Sequence, residues 1–86
     1  MQETSETYIL YSTSACHLCE LAHALVMEYG LHGQPVALSE VDIAEDDTLF
    51  ERYGITIPVL RSPSGRELNW PFDAPALQQF IEGEGG

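Results

Sequence analysis

Two cysteines, three residues apart in Cys16-His17-Leu18-Cys19, are the only ones in this chain of 86 residues. They stand where an apolar run, Tyr8-Ile9-Leu10-Tyr11, gives way to a helical pattern. Two thiols at that spacing in the first turn of a helix form a unit able to cycle between dithiol and disulfide. A helix N-terminus carries a partial positive charge and unpaired N–H groups, which stabilise a thiolate. Cys16, the more N-terminal and expected to be the more exposed, is read as the nucleophile. Cys19, one turn on and more inward, would attack Cys16 and release the reduced substrate. Two other readings stand beside this one. The cysteines could be small hydrophobes of the core, or Cys16, Cys19 and His23 could share a helix face as metal ligands. Structural zinc takes four ligands, and neither His17 nor His32 has a spacing argument behind it, so no metal is assigned. His17 and Leu18 would tune the pair. Protonated His17 would lower the Cys16 pKa and favour the reduced form, or its ring points to solvent.

The formal net charge is −11, with no lysine and only Arg52, Arg61 and Arg66 as fixed cations. Such a surface repels phosphate backbones and anionic lipid, which argues against nucleic-acid and membrane-surface roles. The 44% share of hydrophobic residues is spread along the chain, which opposes disorder except at the ends. The opening residues have neither a basic nor an apolar signal region, and no apolar run reaches the length of a bilayer. The expectation is one soluble, cytoplasmic, monomeric domain over 1–86, ordered from about 7 to 82 and frayed at both ends. In a reducing compartment a close cysteine pair is more often catalytic or metal-binding than a staple.

Residues 8–12 read as a buried strand, and a helix is predicted over 16–29, with Cys19, Ala22, Leu25, Val26 and Tyr29 on one face. Gly30 is placed as its C-terminal stop and 31–35 as loop. A second strand is expected over 36–42 with Val36, Leu38 and Val41 inward. A short helix over 48–53 follows, with Asp46 and Asp47 at its start and Gly54 at its end. The β-branched run 55–60 reads as a third strand interrupted by Pro58. Pro63-Ser64-Gly65 marks a turn, so 59–61 and 67–70 should form a hairpin. Pro71-Phe72-Asp73 opens a last helix with Leu77, Phe80 and Ile81 inside, and 83–86 is a frayed tail. The order β-α-β-α-β-β-α implies an α/β fold. It has a four-stranded mixed sheet, parallel at the first crossover and antiparallel at the hairpin, and three helices.

These segments resemble glutaredoxin-like proteins of the thioredoxin superfamily and, more narrowly, a group of small bacterial ones. Tyr11-Ser12 followed by Cys16 and Cys19 is similar to the glutaredoxin Y-S-x-x-x-C-x-x-C pattern, and Thr56-Ile57-Pro58 to its T-V-P signature. The C-H-L-C, I-P-V-L and N-W-P-F-D segments carry the narrower likeness. The resemblance implies a thioredoxin-like fold, a cis Pro58, and thiol–disulfide oxidoreductase activity in redox homeostasis, with no bound cofactor. It implies that Tyr11, Thr13, Thr56, Ile57, Pro58, Trp70 and Asp73 contribute to substrate binding. The Ile57 backbone N–H and C=O would be free to pair with a substrate chain. Protein or small-molecule disulfides are the implied partners, with glutathione as a candidate reductant. Glutathione binding is expected to be weak. The family's carboxylate-binding lysine is Thr13 here, its glycine pair before the last helix is Asn69-Trp70, and only Arg52 and Arg61 are candidate carboxylate partners. The alternative on the same fold is a non-catalytic binding module, with or without a Cys/His metal site.

Overall fold

Alternation along the first strand determines how the rest is layered. In β1 (Thr7–Ser12) Tyr8 and Leu10 point to one side, and Ile9 and Tyr11 to the other. A strand that is apolar on both sides needs cover on both. The computed structural model describes residues 7–14, 16–32 and 36–85. Its remaining elements are α1 (His17–His32), β2 (Ala37–Asp42), a 3-10 turn (Ile43–Glu45), α2 (Asp47–Tyr53), β3 (Val59–Arg61), β4 (Glu67–Asn69) and α3 (Ala74–Gly85). The sheet order is β2-β1-β3-β4, with β1 parallel to β2 and antiparallel to β3, and β3 antiparallel to β4.

The larger cluster joins Tyr8, Leu10 and Leu60 of the sheet to Ala22 and Val26 of α1 and to Leu77 and Phe80 of α3. Val36 and Leu38 pack against it from the β2 side. The smaller cluster lies on the opposite face, where Tyr11 and Val59 meet Ile43 of the 3-10 turn and Tyr53 of α2, with Val41 beside them. Tyr11 and Tyr53 stack with their centroids 4.3 Å apart. The Tyr53 hydroxyl donates to Glu67, whose carboxylate also lies 3.7 Å from Arg52. Burial, that hydrogen bond and the Glu67 charge push the Tyr53 phenol up to about 12.

Several boundaries differ from the sequence reading. Helix α1 starts at His17 and passes through Gly30 to His32. Gly30 is no stop, because among the described residues only Gly65 takes a positive φ, 99°. Gly65 needs it to close the hairpin loop, where its N–H donates to the Ser62 carbonyl. β2 starts at Ala37. Asp46 is the N-cap of α2, accepting from the N–H groups of Thr48 and Leu49. Residues 55–57 are not strand. The N–H groups of Thr56 and Ile57 fold back onto the Tyr53 carbonyl, and the strand begins only after Pro58. β4 ends at Asn69 rather than 70. Helix α3 continues through Gly83 to Gly85, where the sequence reads as a frayed tail. The expected fraying of 1–6 and of Gly86 lies outside the described residues, as does the loop at 33–35. No helix among the described residues is long and apolar enough to cross a membrane.

Leu60 has no exposure and lies at the centre of the larger cluster. Leu60→Ala should therefore cost about 2–5 kcal/mol in denaturant unfolding. Because the Tyr53 pKa is raised on folding, its contribution is present below about pH 10 and lost as the pH climbs towards 12. Tyr53→Phe should flatten the fall in stability across that interval, measured as unfolding midpoints against pH.

Candidate redox site

Three strand segments meet at one end of the sheet. β1 ends at Ser12, with Asp42 in register on the β2 side. On the other side Tyr11 faces Val59, so the same register brings Pro58 next to Ser12. The Ile57–Pro58 peptide bond is cis and Pro58 is fully buried. The chain leaves β1 through a short polar link and enters α1, and the Thr13 carbonyl accepts from the Cys16 N–H.

Cys16 occupies the capping position of α1. Its carbonyl accepts from the Glu20 N–H, and its Sγ accepts from the Cys19 N–H at 3.0 Å. A sulfur thus holds one of the helix's unpaired donors, where a serine or aspartate oxygen would ordinarily sit. Cys16 and Cys19 are joined by a disulfide, with their Cα atoms 5.2 Å apart. The two sulfurs differ in surroundings. Cys19 is 2% exposed, on the same helix face as buried Ala22 and Val26, whereas Cys16 is half-buried at the rim.

The disulfide borders a cleft of about 330 Å³. Its walls are Ser12, Thr13 and Ser14 from the end of β1, Glu20 from α1, and Glu40 and Asp42 from β2. A larger groove of about 430 Å³ between α1 and α3 is lined by Leu25, Tyr29 and Leu77 among others, and no cysteine is among its lining residues. The two cysteines lie at the smaller cleft. Glu20, Glu40 and Asp42 escaped the sequence reading. Alternation from Leu38 through Glu40 to Asp42 at the carboxyl end of a parallel strand is the signal that could have found the last two, and Glu20 directly follows Cys19 in the first turn of α1.

The other expected site residues separate into groups. Thr13 lines the cleft. Leu18 is 46% exposed beside the disulfide. His17 is exposed, its Nδ1 3.9 Å from Glu20. Tyr11 does not face the cleft. It is buried on the α2 side under Tyr53, and its hydroxyl accepts from Arg61. Trp70 packs edge-on against Phe72 at the border of the larger cluster. Asp73 caps α3 by accepting from the Ala76 N–H. The Thr56 hydroxyl donates to the Tyr53 carbonyl. The Ile57 N–H, expected to be free, donates to that same carbonyl at 3.1 Å, because the turn after α2 uses it. Arg52 pairs with Glu67, and Arg61 is held at Tyr11. Among the described residues no group of three or more His, Cys, Asp or Glu is arranged to hold a metal, and the sulfurs are bonded to each other. The side chain of His32 lies outside the described residues.

The comparisons agree with this geometry. No curated protein matches the chain. The crystal structure of the structural-genomics target XcR50 from X. campestris is 41% identical, with a TM-score of 0.76 over 88% of this chain and 96% of that one. The solution structure of Ne2328 from Nitrosomonas europaea is 22% identical, with a TM-score of 0.75 over 93% of this chain and 95% of its own. A mutant thioredoxin from Halobacterium salinarum NRC-1 has a TM-score of 0.66 at 23% identity, covering 91% of this chain and 73% of its own, and shows the shared thioredoxin-like fold. Residues 7–82 match the family model of the Glutaredoxin-like domain (DUF836). A C-x-x-C disulfide at the strand–helix junction of a thioredoxin-like sheet, with a family match over nearly the whole chain, makes this protein a member of the glutaredoxin-like domain family.

Proposed function

We propose that this protein is a thiol–disulfide oxidoreductase that cycles Cys16 and Cys19. The observation that carries the reading is the disulfide across the first turn of α1, with one half-buried sulfur and one sealed from solvent. In the reduced protein the Cys16 thiolate attacks a substrate disulfide, forming a mixed disulfide and expelling one thiolate, which takes up a proton. Cys19 then loses its proton and attacks the Cys16 Sγ. That step releases the second substrate thiol and restores the intramolecular disulfide. Two electrons pass to the substrate, and an external thiol such as glutathione or a protein dithiol returns them.

The fold supplies what each step needs. The Cys19 N–H and the α1 dipole stabilise negative charge on the Cys16 Sγ, which raises its thiolate fraction and makes it the attacking thiol of the first step. Burial keeps Cys19 from reacting first and leaves Cys16 as its one nearby target. Protein and small-molecule disulfides are the proposed substrates, in a reducing cytoplasm.

Cys16→Ser should abolish reduction of a model disulfide, while the Cys19→Ser protein should still attack it through Cys16 and accumulate a mixed disulfide visible by intact mass. Activity that survives Cys16→Ser would overturn the reading. Glutathione itself should bind weakly. Carboxylates line the cleft, and Arg52 and Arg61 are engaged elsewhere. Calorimetric titration of the Cys16→Ser protein should give a millimolar dissociation constant, and a micromolar one would show that the cleft accommodates the tripeptide.

A further inference from the structure

Three of the residues lining the disulfide cleft are acidic: Glu20, Glu40 and Asp42. None of its lining residues is Lys or Arg. The chain's cations are used at a distance from it. Arg52 pairs with Glu67, Arg61 meets the Tyr11 hydroxyl, and Arg66 lies over the Phe80 ring. His17, which can become positive, lies 3.9 Å from Glu20. A second observation points to a ligand in the same place. Ser12 is 7% exposed and lines the cleft, yet among the described residues its hydroxyl has no hydrogen-bond partner. A buried hydroxyl is ordinarily satisfied, so one left open towards a cleft is free to accept from a donor that enters it.

We infer that the cleft selects disulfides flanked by positive charge, such as cystine bridges next to lysine or arginine, and disfavours anionic ones. The inference rests on the oxidoreductase reading and names its substrate class. Glu20, Glu40 and Asp42 attract a cationic disulfide towards the Cys16 Sγ, and the Ser12 hydroxyl accepts from an N–H of the arriving chain. The exchange is the one already described, two electrons moving from the Cys16–Cys19 dithiol to the incoming S–S bond. Charge acts mainly on encounter, so the preference weakens as salt screens it.

The test uses three disulfides of similar size and different charge: cystamine (cationic), bis(2-hydroxyethyl) disulfide (neutral) and 3,3′-dithiodipropionate (anionic). Pre-reduced protein reacts with each at pH 8 in a single turnover, followed as loss of protein thiols. Each rate is divided by that of dithiothreitol with the same disulfide, which removes differences in leaving-group reactivity. The cation-to-anion ratio should be about tenfold near 0.01 M salt and fall to about twofold at 0.5 M salt. The Glu20→Gln, Glu40→Gln double variant should bring the ratio towards one. Glu28→Gln, Glu51→Gln, which removes equal charge away from the cleft, should retain it.

A ratio near one in the wild type, with the neutral disulfide still reduced through Cys16, would overturn the selectivity alone. A high ratio that survives loss of Glu20 and Glu40 would overturn its assignment to the cleft. Failure to reduce any of the three would overturn the oxidoreductase reading itself, and the selectivity with it.

Discussion

The structure depends on how β1 hands the chain to α1. β1 is apolar on both faces and covered on both, so the end of the strand is held in place. Cys16 follows after a short link and takes the capping position, where its sulfur receives the Cys19 N–H. Three residues are a little less than one helical turn, so Cys19 swings inward onto the face of Ala22 and Val26 while Cys16 stays at the rim. The different exposure of the two cysteines, on which the proposed exchange relies, is thus a consequence of helix periodicity starting at a fixed point.

The donor that meets the Cys16 sulfur is a backbone N–H. The helix N-terminus adds its partial positive charge, while the arginines are committed to structural contacts. Arg52 and Arg61 join the tyrosine network beneath the sheet, and Arg66 covers Phe80. Against the helix terminus stand Glu20, Glu40 and Asp42. Exposed carboxylates act over about 10 Å at 0.1 M salt, whereas the N–H to sulfur contact is direct. A thiolate at Cys16 and an acidic entrance are therefore compatible, the first decided by contact and the second by long-range charge.

The second face ties the proline loop to α2. The Tyr53 side chain stacks on Tyr11 and bonds to Glu67 of the hairpin, while its carbonyl accepts from the Thr56 and Ile57 N–H groups. One residue thus anchors α2, the hairpin and the approach to Pro58. A substrate strand seeking the Ile57 N–H would have to displace a bond worth about 1 kcal/mol net. That counts against backbone pairing at this donor.

Much of this was legible in the sequence. The cysteine spacing, the apolar run before it, the Pro-Ser-Gly turn and the Asp46 cap each act locally, through neighbours a few residues away, so the element order could be read directly. The family resemblance in Tyr11-Ser12 and Thr56-Ile57-Pro58 was also readable, as the match over 7–82 shows. Local signals failed where tertiary packing outweighed them. Gly30 and Gly83 remain helical, and 55–57 gives up its β-branched preference because its N–H groups bond to Tyr53. Tyr11 belongs to the rear network and not to the cleft, since alternation turns it away from α1. Glu40 and Asp42 come to the sulfurs only through parallel pairing of β2 with β1. The sequence by itself determined which atoms could react, because that chemistry lies within four consecutive residues. Which further charges face them was decided by tertiary structure, because strand register brings Glu40 and Asp42 there from more than twenty positions away.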